Sequence, residues 1–335
     1  MKNKKNILQD SFGRQHTYLR ISLTELCNLR CTYCMPAEGI QLSPKSHIMT
    51  FDEVFNIATT FVKHGVTKIR LTGGEPLVRK DADVILKKLA TLPVELSITT
   101  NAVIVDRFID VFKASNIKNI NVSLDSLDTQ KFNQITRRND FESVYKNIKL
   151  LINEGFNVKL NAVLIKDFND NEIIDFINLT KTHPISVRFI EFMPFDGNAW
   201  NKDKLVSYNA IMNHVNDAFD EKEVLRIEDA PNDTSKNYKI EGYKGSFAII
   251  SSVTNPFCDS CNRIRLTANG QLKNCLFSSA ESDLLTPLRA GKNIEPLIQK
   301  AIQSKFKIRG GMDTLKKLET PDLHNNNRSM ITIGG

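Results

Sequence analysis

The fold is decided by the stretch Cys27-Asn28-Leu29-Arg30-Cys31-Thr32-Tyr33-Cys34, which places three thiols at the spacing C-x3-C-x2-C. It directly follows the strand-like run 18–23, so we predict a loop at the carboxyl end of a strand. Iron–sulfur clusters normally take four thiolates, and a loop that supplies three would leave one iron of a cubane open to another ligand. A zinc site more often uses paired C-x2-C steps or histidine, and no His lies nearby. Zinc and plain buried cysteines are therefore the alternatives to a cluster.

All six cysteines fall into two triads, and the second has the spacing Cys258-x2-Cys261-x13-Cys275. Disulfides are not expected in a chain that shows no export signal. By itself this triad fits zinc with a fourth ligand from elsewhere. Beside the first triad, a second cluster with an open iron is the better interpretation. Such an iron could bind substrate directly as a Lewis acid.

Composition limits the class of protein. With 335 residues, 41% apolar and 25% charged, the chain is typical of a globular protein with a full core. No apolar run approaches the roughly 20 residues that span a membrane, and the basic N-terminus has no apolar segment behind it. We therefore expect a cytoplasmic protein without a membrane partner.

The net charge of +7 and the pI of about 9.0 suit an anionic partner. No dense block of Lys and Arg with interleaved aromatic residues is present, as a nucleic-acid surface would require. The composition therefore favours a small anion over nucleic acid.

Strand and helix patterns alternate six times over residues 17–192, which predicts a parallel sheet with crossover helices. Six units fall short of a closed barrel, so we predict an α/β fold with an incomplete (β/α)6 TIM-like barrel over residues 1–193. From residue 194 the pattern changes to polar, turn-rich stretches (196–198 and 229–237), a helix near 207–219 and a hairpin near 263–276. We predict that residues 194–335 form an α+β region covering the open side of the barrel.

Several candidate site residues follow predicted strands, at the edge where such barrels carry their active sites. They belong to the cysteine loop, the turn Gly73-Gly74-Glu75-Pro76, and the segments 99–101, 123–125 and 191–193. The two glycines let backbone groups approach a ligand closely, although a plain tight turn is the alternative. One rim is expected to collect all of these residues.

Basic residues recur at the predicted strand ends, and each by itself is more simply surface charge. However, Arg20, Arg70 and Arg188 interrupt apolar strand runs, where a buried guanidinium needs an anion. Arg forks match phosphate oxygens. With Lys159 and the pair Arg263 and Arg265 beside the second triad, they predict a pocket for a polyphosphate.

These motifs carry a resemblance to known proteins. The pattern T-E-x-C-N-x-R-C-x-Y-C (Thr24 to Cys34) followed by GGEP resembles the radical S-adenosylmethionine (SAM) superfamily. With the second triad, the N-R-x-R after it and the terminal Gly-Gly, nearly the whole chain resembles the GTP 3′,8-cyclases of molybdenum-cofactor biosynthesis. One departure is Leu26, where many members carry Arg, and no ligand role is attached to that position.

The resemblance implies roles for individual residues. Two triads would each hold a [4Fe–4S] cluster, the first (Cys27, Cys31, Cys34) binding SAM and the second (Cys258, Cys261, Cys275) being ligated by the guanine ring. SAM would be contacted by Tyr33, Gly74, Ser123 and Met193. GTP would be contacted by Arg20, Arg70, Thr99, Lys159, Arg188, Arg263 and Arg265. Arg263, Arg265 and the tail residues Gly334 and Gly335 are also candidate catalytic residues, although a disordered terminus is the alternative for the tail.

The implied activity is that of a lyase that converts GTP to (8S)-3′,8-cyclo-7,8-dihydroguanosine 5′-triphosphate, the first step of molybdopterin biosynthesis. It would need an external one-electron donor and a handover of product to cyclic pyranopterin monophosphate synthase, and the protein would be a homodimer. Two alternatives are another radical SAM enzyme with an auxiliary cluster, such as a peptide-modifying one, and a zinc-binding nucleic-acid module.

Overall fold

The computed structural model describes residues 6–36, 38–320 and 327–334, and its strands form a single twelve-stranded sheet. Six strands pair in parallel in chain order. They are β1 (Tyr18–Ser22), β2 (Lys68–Thr72), β3 (Glu95–Thr100), β4 (Asn119–Ser123), β5 (Asn157–Leu164) and β6 (Ser186–Glu191). The predicted six-strand series is confirmed.

The C-terminal half of the chain extends this sheet at both edges. The remaining strands are β7 (Val224–Ile227), β8 (Lys236–Ile240), β9 (Ser246–Ile250), β10 (Arg263–Leu266), β11 (Gln271–Lys273) and β12 (Ser282–Asp283). β9 pairs parallel to β6 and β10 pairs parallel to β1, so eight adjacent strands run in parallel. Beyond them, β8 and β7 continue one edge and β11 and β12 the other, all antiparallel. A domain boundary at residue 193 stays a prediction, because both halves share one sheet.

Helices connect the parallel strands and cover their outer face. They are α1 (Phe51–Lys63), α2 (Ala82–Leu89), α3 (Ile109–Ala114), α4 (Thr129–Thr136), α5 (Phe141–Asn153), α6 (Ile173–Thr182), α7 (Tyr208–Ala218), α8 (Leu285–Arg289), α9 (Glu295–Gln303), α10 (Leu315–Leu318) and α11 (Met330–Ile333). Local sequence explains where α1 begins, since Thr50 and Glu53 form a reciprocal capping box.

The sequence pattern did not predict α4, β7 or β8. β7 is an edge strand with three of its four residues exposed, so it lacks the alternation of buried and exposed residues that marks a strand.

The tail residues Ile331, Thr332 and Ile333 are buried in α11, so the described part of the tail packs against the protein.

The parallel strands β1, β2, β4 and β10 alternate between apolar and polar residues, and β3, β5 and β6 do so until their last two residues, which include Val163 in β5 and Ile190 in β6. Leu19, Ile21, Ile69 and Leu71 are fully buried in the core between sheet and helices. The residues between them point into the barrel, where Arg20 and others line a cavity. Parallel strands covered on both faces usually have continuous apolar runs. The alternation here means that the barrel interior is a polar cavity.

In the described ranges, no helix is long and apolar enough to cross a membrane.

Candidate active site

A cavity of about 530 Å³ occupies the barrel interior, and both cysteine triads line it. Of the predicted site residues that the structure describes, all except Gly334 line this cavity. They are Arg20, Cys27, Cys31, Tyr33, Cys34, Arg70, Gly74, Thr99, Ser123, Lys159, Arg188, Met193, Cys258, Cys261, Arg263, Arg265 and Cys275. The structure therefore brings together side chains that are spread over most of the chain.

The first cysteine loop is held by backbone and side-chain hydrogen bonds. The amides of Arg30 and Thr32 donate to the carbonyls of Thr136 and Ile135, both at 2.9 Å, so the loop docks on the end of α4. The Arg137 guanidinium donates to the carbonyl of Arg30 at 3.1 Å. These contacts position the loop on the end of α4.

Tyr33 also ties the loop to the barrel. Its hydroxyl donates to Oδ2 of Asp125 at 2.7 Å, and Oδ1 of Asp125 accepts from the amide of Val163 at 2.9 Å. Asp125 follows β4 and Val163 lies in β5. One buried carboxylate therefore links the cysteine loop to two strands.

The first triad is a poor place for free thiolates. Burial, followed by the neighbouring cysteines and Asp125, raises the pKa of the Cys31 and Cys34 thiols well above their usual value. Burial and Glu75 raise the pKa of Cys27 to about 11. Three thiolates here require a bound cation to offset their charge, which the irons of a cluster supply. The donor set fits such a cluster.

The second triad has a cationic environment. The Arg309 amide donates to Sγ of Cys258 at 3.4 Å, and Nζ of Lys305 donates to Sγ of Cys261 at 3.6 Å. Burial raises the pKa of Cys261, but the charges of Arg263 and Lys305 outweigh it and bring this pKa to about 6. Cys261 is therefore prepared as a thiolate, the form that binds metal.

In the ranges that the structure describes, no three Cys, His, Asp or Glu side chains converge closely enough to hold a single metal ion. A [4Fe–4S] cluster does not need that convergence, because each thiolate binds a different iron.

The GGEP turn has a packing reason for its glycines. A Cβ on Gly74 would lie 2.3 Å from the carbonyl oxygen of Leu26, and one on Gly73 would lie 2.8 Å from that of Thr24. The amide of Gly74 donates to the Thr24 carbonyl at 2.8 Å. The absence of side chains thus lets the turn pack against the backbone that leads into the cysteine loop.

Glu75 is enclosed at the same place. Its carboxylate accepts from the amide of Asn101 at 2.7 Å and from the hydroxyl of Thr100 at 2.8 Å. Burial raises the pKa of this carboxyl group to about 7. Glu75 therefore connects the ends of β2 and β3 beneath the cysteine loop.

The basic residues lie within strands rather than at strand ends, which corrects the sequence prediction. Arg20, Arg70, Lys159 and Arg188 are each the third residue of their strand. They are reachable from the cavity because the barrel is hollow at that level. Adjacent strands also align Arg20 with both Arg70 and Arg265.

No carboxylate of the described residues contacts this basic cluster directly, although Asp233 offsets part of the charge of Lys159 and Arg188 from beyond ion-pair distance. In the part of the chain that the structure describes, none of Arg20, Arg70, Lys159 and Arg188 forms an ion pair with a carboxylate. The buried Nε atoms of the three arginines have no hydrogen-bond partner, nor does Oγ1 of Thr99. Burial and neighbouring cations lower the pKa of Arg20 to about 10 and that of Lys159 to about 8. Such an arrangement is stabilised by a bound anion.

Two further cavity residues, Tyr18 and Lys68, were missed from the sequence. The ring of Tyr18 lies 5.5 Å from the guanidinium of Arg20, 5.4 Å from that of Arg70 and 5.6 Å from Nζ of Lys68. Its hydroxyl is buried and has no partner. Tyr18 and Lys68 each lie two positions before a predicted arginine, so the two-residue strand period could have identified both.

The tail reaches the basic cluster from the C-terminal region. Nη1 of Arg265 donates to the carbonyl of Gly334 at 3.3 Å. Gly334 has a φ of +87°, and a Cβ there would lie 2.5 Å from Oγ1 of Thr72. The predicted role of Gly335 lies outside the described residues.

A loop with three thiols, placed at the carboxyl ends of parallel strands over a polar cavity, defines the class of radical SAM proteins. A family model for the Radical SAM superfamily matches residues 21–180, and one for Molybdenum Cofactor Synthesis C matches residues 185–310. The structure of Streptococcus suis SuiB bound to S-adenosylmethionine has the same fold, with a TM-score of 0.59, 18% identity, and coverage of 90% of this chain and 72% of that one.

Comparison with sequence relatives identifies the family within the radical SAM class. The chain is 46% identical to "GTP 3′,8-cyclase, mitochondrial" of Arabidopsis thaliana, over 98% of this chain and 84% of the relative. It is 41% identical to "GTP 3′,8-cyclase" of Peptoclostridium acidaminophilum, over 90% and 93%. The chain belongs to the GTP 3′,8-cyclase family. It spans only about half of some longer relatives, such as human "Molybdenum cofactor biosynthesis protein 1", which is 43% identical over 97% of this chain and 51% of the relative.

Proposed function

We propose that the protein binds GTP in the basic part of the cavity and joins C3′ of its ribose to C8 of its guanine. The product is (8S)-3′,8-cyclo-7,8-dihydroguanosine 5′-triphosphate. The observation that carries this proposal is the set of arginines whose buried Nε atoms find no hydrogen-bond partner among the described residues, in one cavity with both cysteine triads. Such a cavity suits a ligand with a polyanionic end and a reactive end.

The triphosphate is held by Arg20, Arg70, Lys159 and Arg188. Guanidinium groups bind phosphate oxygens in pairs, and the free Nε atoms of these arginines supply donors that no protein group uses. The hydroxyl of Thr99 is also free. Lys68 and Tyr18 add a further cation and a further donor at the same level of the barrel.

The first triad holds the cluster that binds SAM, with Tyr33, Gly74, Ser123 and Met193 around it. When bound, this cluster and SAM supply hydrogen-atom-abstraction chemistry. Cys258, Cys261 and Cys275 would hold a second cluster, which would supply a Lewis-acidic iron for the guanine. Arg263 and Arg265 lie on β10 between the second triad and the triphosphate cations, where they can orient the nucleotide.

The chain itself contributes orientation and exclusion of water. Holding C3′ and C8 in contact geometry removes most of the entropic barrier to ring closure. The Gly334 carbonyl fixes the Arg265 guanidinium, so the tail helps to set that geometry. No side chain needs to act as a general base.

The test is iron and acid-labile sulfide content, with EPR, on protein purified without oxygen, before and after addition of SAM and GTP. We expect about eight irons per chain, one cluster signal that responds to SAM and another that responds to GTP. Four irons that respond to SAM alone would support a radical SAM enzyme and contradict GTP as its substrate. Two clusters without any response to GTP would favour the peptide-modifying alternative. Zinc without iron would favour the nucleic-acid module.

Further parts of the proposal are an external one-electron donor, handover of product to cyclic pyranopterin monophosphate synthase, a homodimer and a cytoplasmic location. The donor, the handover and the dimer are what the resemblance to the cyclase family implies. The cytoplasmic location rests on the amino-acid sequence alone, and the Arabidopsis thaliana relative is named as mitochondrial. Size-exclusion chromatography with light scattering tests the dimer, and a single-chain mass would contradict it.

A further inference from the structure

Lys305 is buried beside the second cysteine triad. It lies just after α9 and is only 4% exposed. Its ammonium donates to Sγ of Cys261 at 3.6 Å and to the carbonyl of Arg263 at 2.9 Å. A buried ammonium is costly unless a negative charge accompanies it.

No carboxylate supplies that charge. Across the described ranges, none lies within ion-pair distance of Lys305. The anionic group in contact with Lys305 is therefore the Cys261 sulfur. A cubane cluster with three thiolates carries a net negative charge that grows when the cluster is reduced, so the ammonium stabilises the reduced form more than the oxidised form.

Arg14 holds the segment that follows Lys305 in place. The guanidinium of Arg14 donates to the carbonyl of Cys258 at 2.8 Å, and also to those of Lys307 at 2.8 Å and Phe306 at 2.9 Å. It thereby clamps the segment after Lys305 onto the cysteine loop. Arg14 is itself fixed by Asp10, through a contact of 2.6 Å.

Arg263 also stabilises the Cys261 thiolate, by its charge and by hydrogen bonds, whereas Arg309 is directed elsewhere. Cys258 accepts from a backbone amide of Arg309, whose guanidinium turns to the carbonyls of Val253 and Asp313. The guanidinium of Arg263 stacks on the ring of Phe257 at 4.7 Å and lines the cavity, where substrate is proposed to bind. Lys305 also lines the cavity, and its ammonium is held by the Cys261 sulfur and the Arg263 carbonyl.

We propose that Lys305 is a positioning residue of the second cluster, whose hydrogen bond and charge at Cys261 keep the reduction potential of that cluster high. Reduction potentials of iron–sulfur clusters rise with hydrogen bonds to sulfur and with nearby positive charge. This inference rests on the proposed cluster at the second triad.

The experiment compares K305M with wild type by EPR-monitored redox titration of the full chain carrying both clusters. K305M keeps the length of the side chain and removes its charge and donors. We expect the potential of the second cluster to become more negative, while the first cluster, identified by its response to SAM, keeps its potential. K300M is the matched control, since Lys300 is exposed on α9 and should shift neither potential.

An unshifted second cluster in K305M would overturn the inference. If K305M loses the second cluster, K305R becomes the test variant, because arginine keeps the positive charge and the hydrogen-bond donors of the side chain. Retention of the cluster in K305R at the wild-type potential supports the inference, and loss of the cluster in K305R as well overturns it. A wild-type protein without a second cluster signal would instead refute the proposed function, so the two failures are distinguishable.

Discussion

The two cysteine triads have the same ligands but differ in the charges that surround them. Around the first, burial together with Asp125 and Glu75 raises the pKa of every thiol. Around the second, Arg263 and Lys305 outweigh burial and lower the pKa of Cys261 to about 6, whereas burial raises the pKa of Cys258. Because surrounding charge tunes a cluster as much as its ligands do, we expect the first cluster to have the lower reduction potential. That difference suits a strong reductant at the first site and an electron-poor iron that binds substrate at the second.

The largest effect is expected when one cysteine of each triad is replaced in turn. C27A should abolish SAM cleavage, because the open iron that binds SAM is lost. C275A should spare uncoupled SAM cleavage far more than it spares cyclisation, since only the substrate-facing cluster is disturbed. Each variant should lose about half of its iron. Chromatographic assay of SAM consumed and cyclised product would check this, and equal loss of both activities in C275A would contradict separate roles.

The second test concerns Gly334 in the C-terminal tail, whose carbonyl accepts a hydrogen bond from Arg265. G334A places a Cβ 2.5 Å from Oγ1 of Thr72 and strains a φ of +87°, so Arg265 loses the carbonyl that fixes it. We expect turnover to fall by about 10- to 100-fold, with both clusters retained.

The matched control for this test is G291A. Gly291 also has a positive φ of +69°, but a Cβ added there would meet no other atom within 4 Å. It should cost stability and leave turnover per folded chain unchanged. Wild-type turnover in G334A, at full iron content, would remove the tail from the mechanism.

The third test concerns the hydrogen bond between Tyr33, in the first cysteine loop, and Asp125. Y33F removes the donor to Asp125 and leaves a buried carboxylate oxygen unpartnered, which costs about 1–3 kcal/mol. We expect the first cluster to be lost to a chelator roughly tenfold faster or more, and the second cluster at its usual rate. Y243F is the control, since the hydroxyl of Tyr243 bonds at the surface to Asn178. Equal loss of both clusters in Y33F would count against a local role.

The smallest effect concerns His16, which contacts the Asp10 that fixes Arg14. Burial, and then the charge of Lys305, lower the pKa of His16 from 6.5 to about 4. Between these values the unfolded chain binds a proton that the folded chain does not, so stability falls as the pH is lowered through this window. The total loss is about 3 kcal/mol.

Urea unfolding at pH 7 and at pH 4.5 measures this dependence. H16Q should lose most of the difference in unfolding free energy that His16 causes, whereas H214Q, at an exposed position, should behave as wild type. An unchanged pH dependence in H16Q would show that another group titrates in this window.

Much of the site follows from short-range sequence. The spacing of the two triads, the glycines before Glu75 and the arginines in β1, β2 and β6 are local patterns, because strand period and loop length depend on neighbouring residues. The same period would have identified Tyr18 and Lys68. By contrast, β7 could not be found this way, because an exposed edge strand carries no burial pattern.

The sequence by itself determined that two sets of three thiols and a row of arginines exist on an α/β barrel. Only the tertiary structure decided that they share one cavity, that Arg14 clamps Cys258 from 244 residues away, and that Lys305 rather than a carboxylate lies against Cys261. The physical reason is the distance along the chain between the residues that determine each property. Spacing along the chain sets which residues share a loop or a strand face, whereas burial and charge around a site arise from segments that meet only when the sheet has assembled.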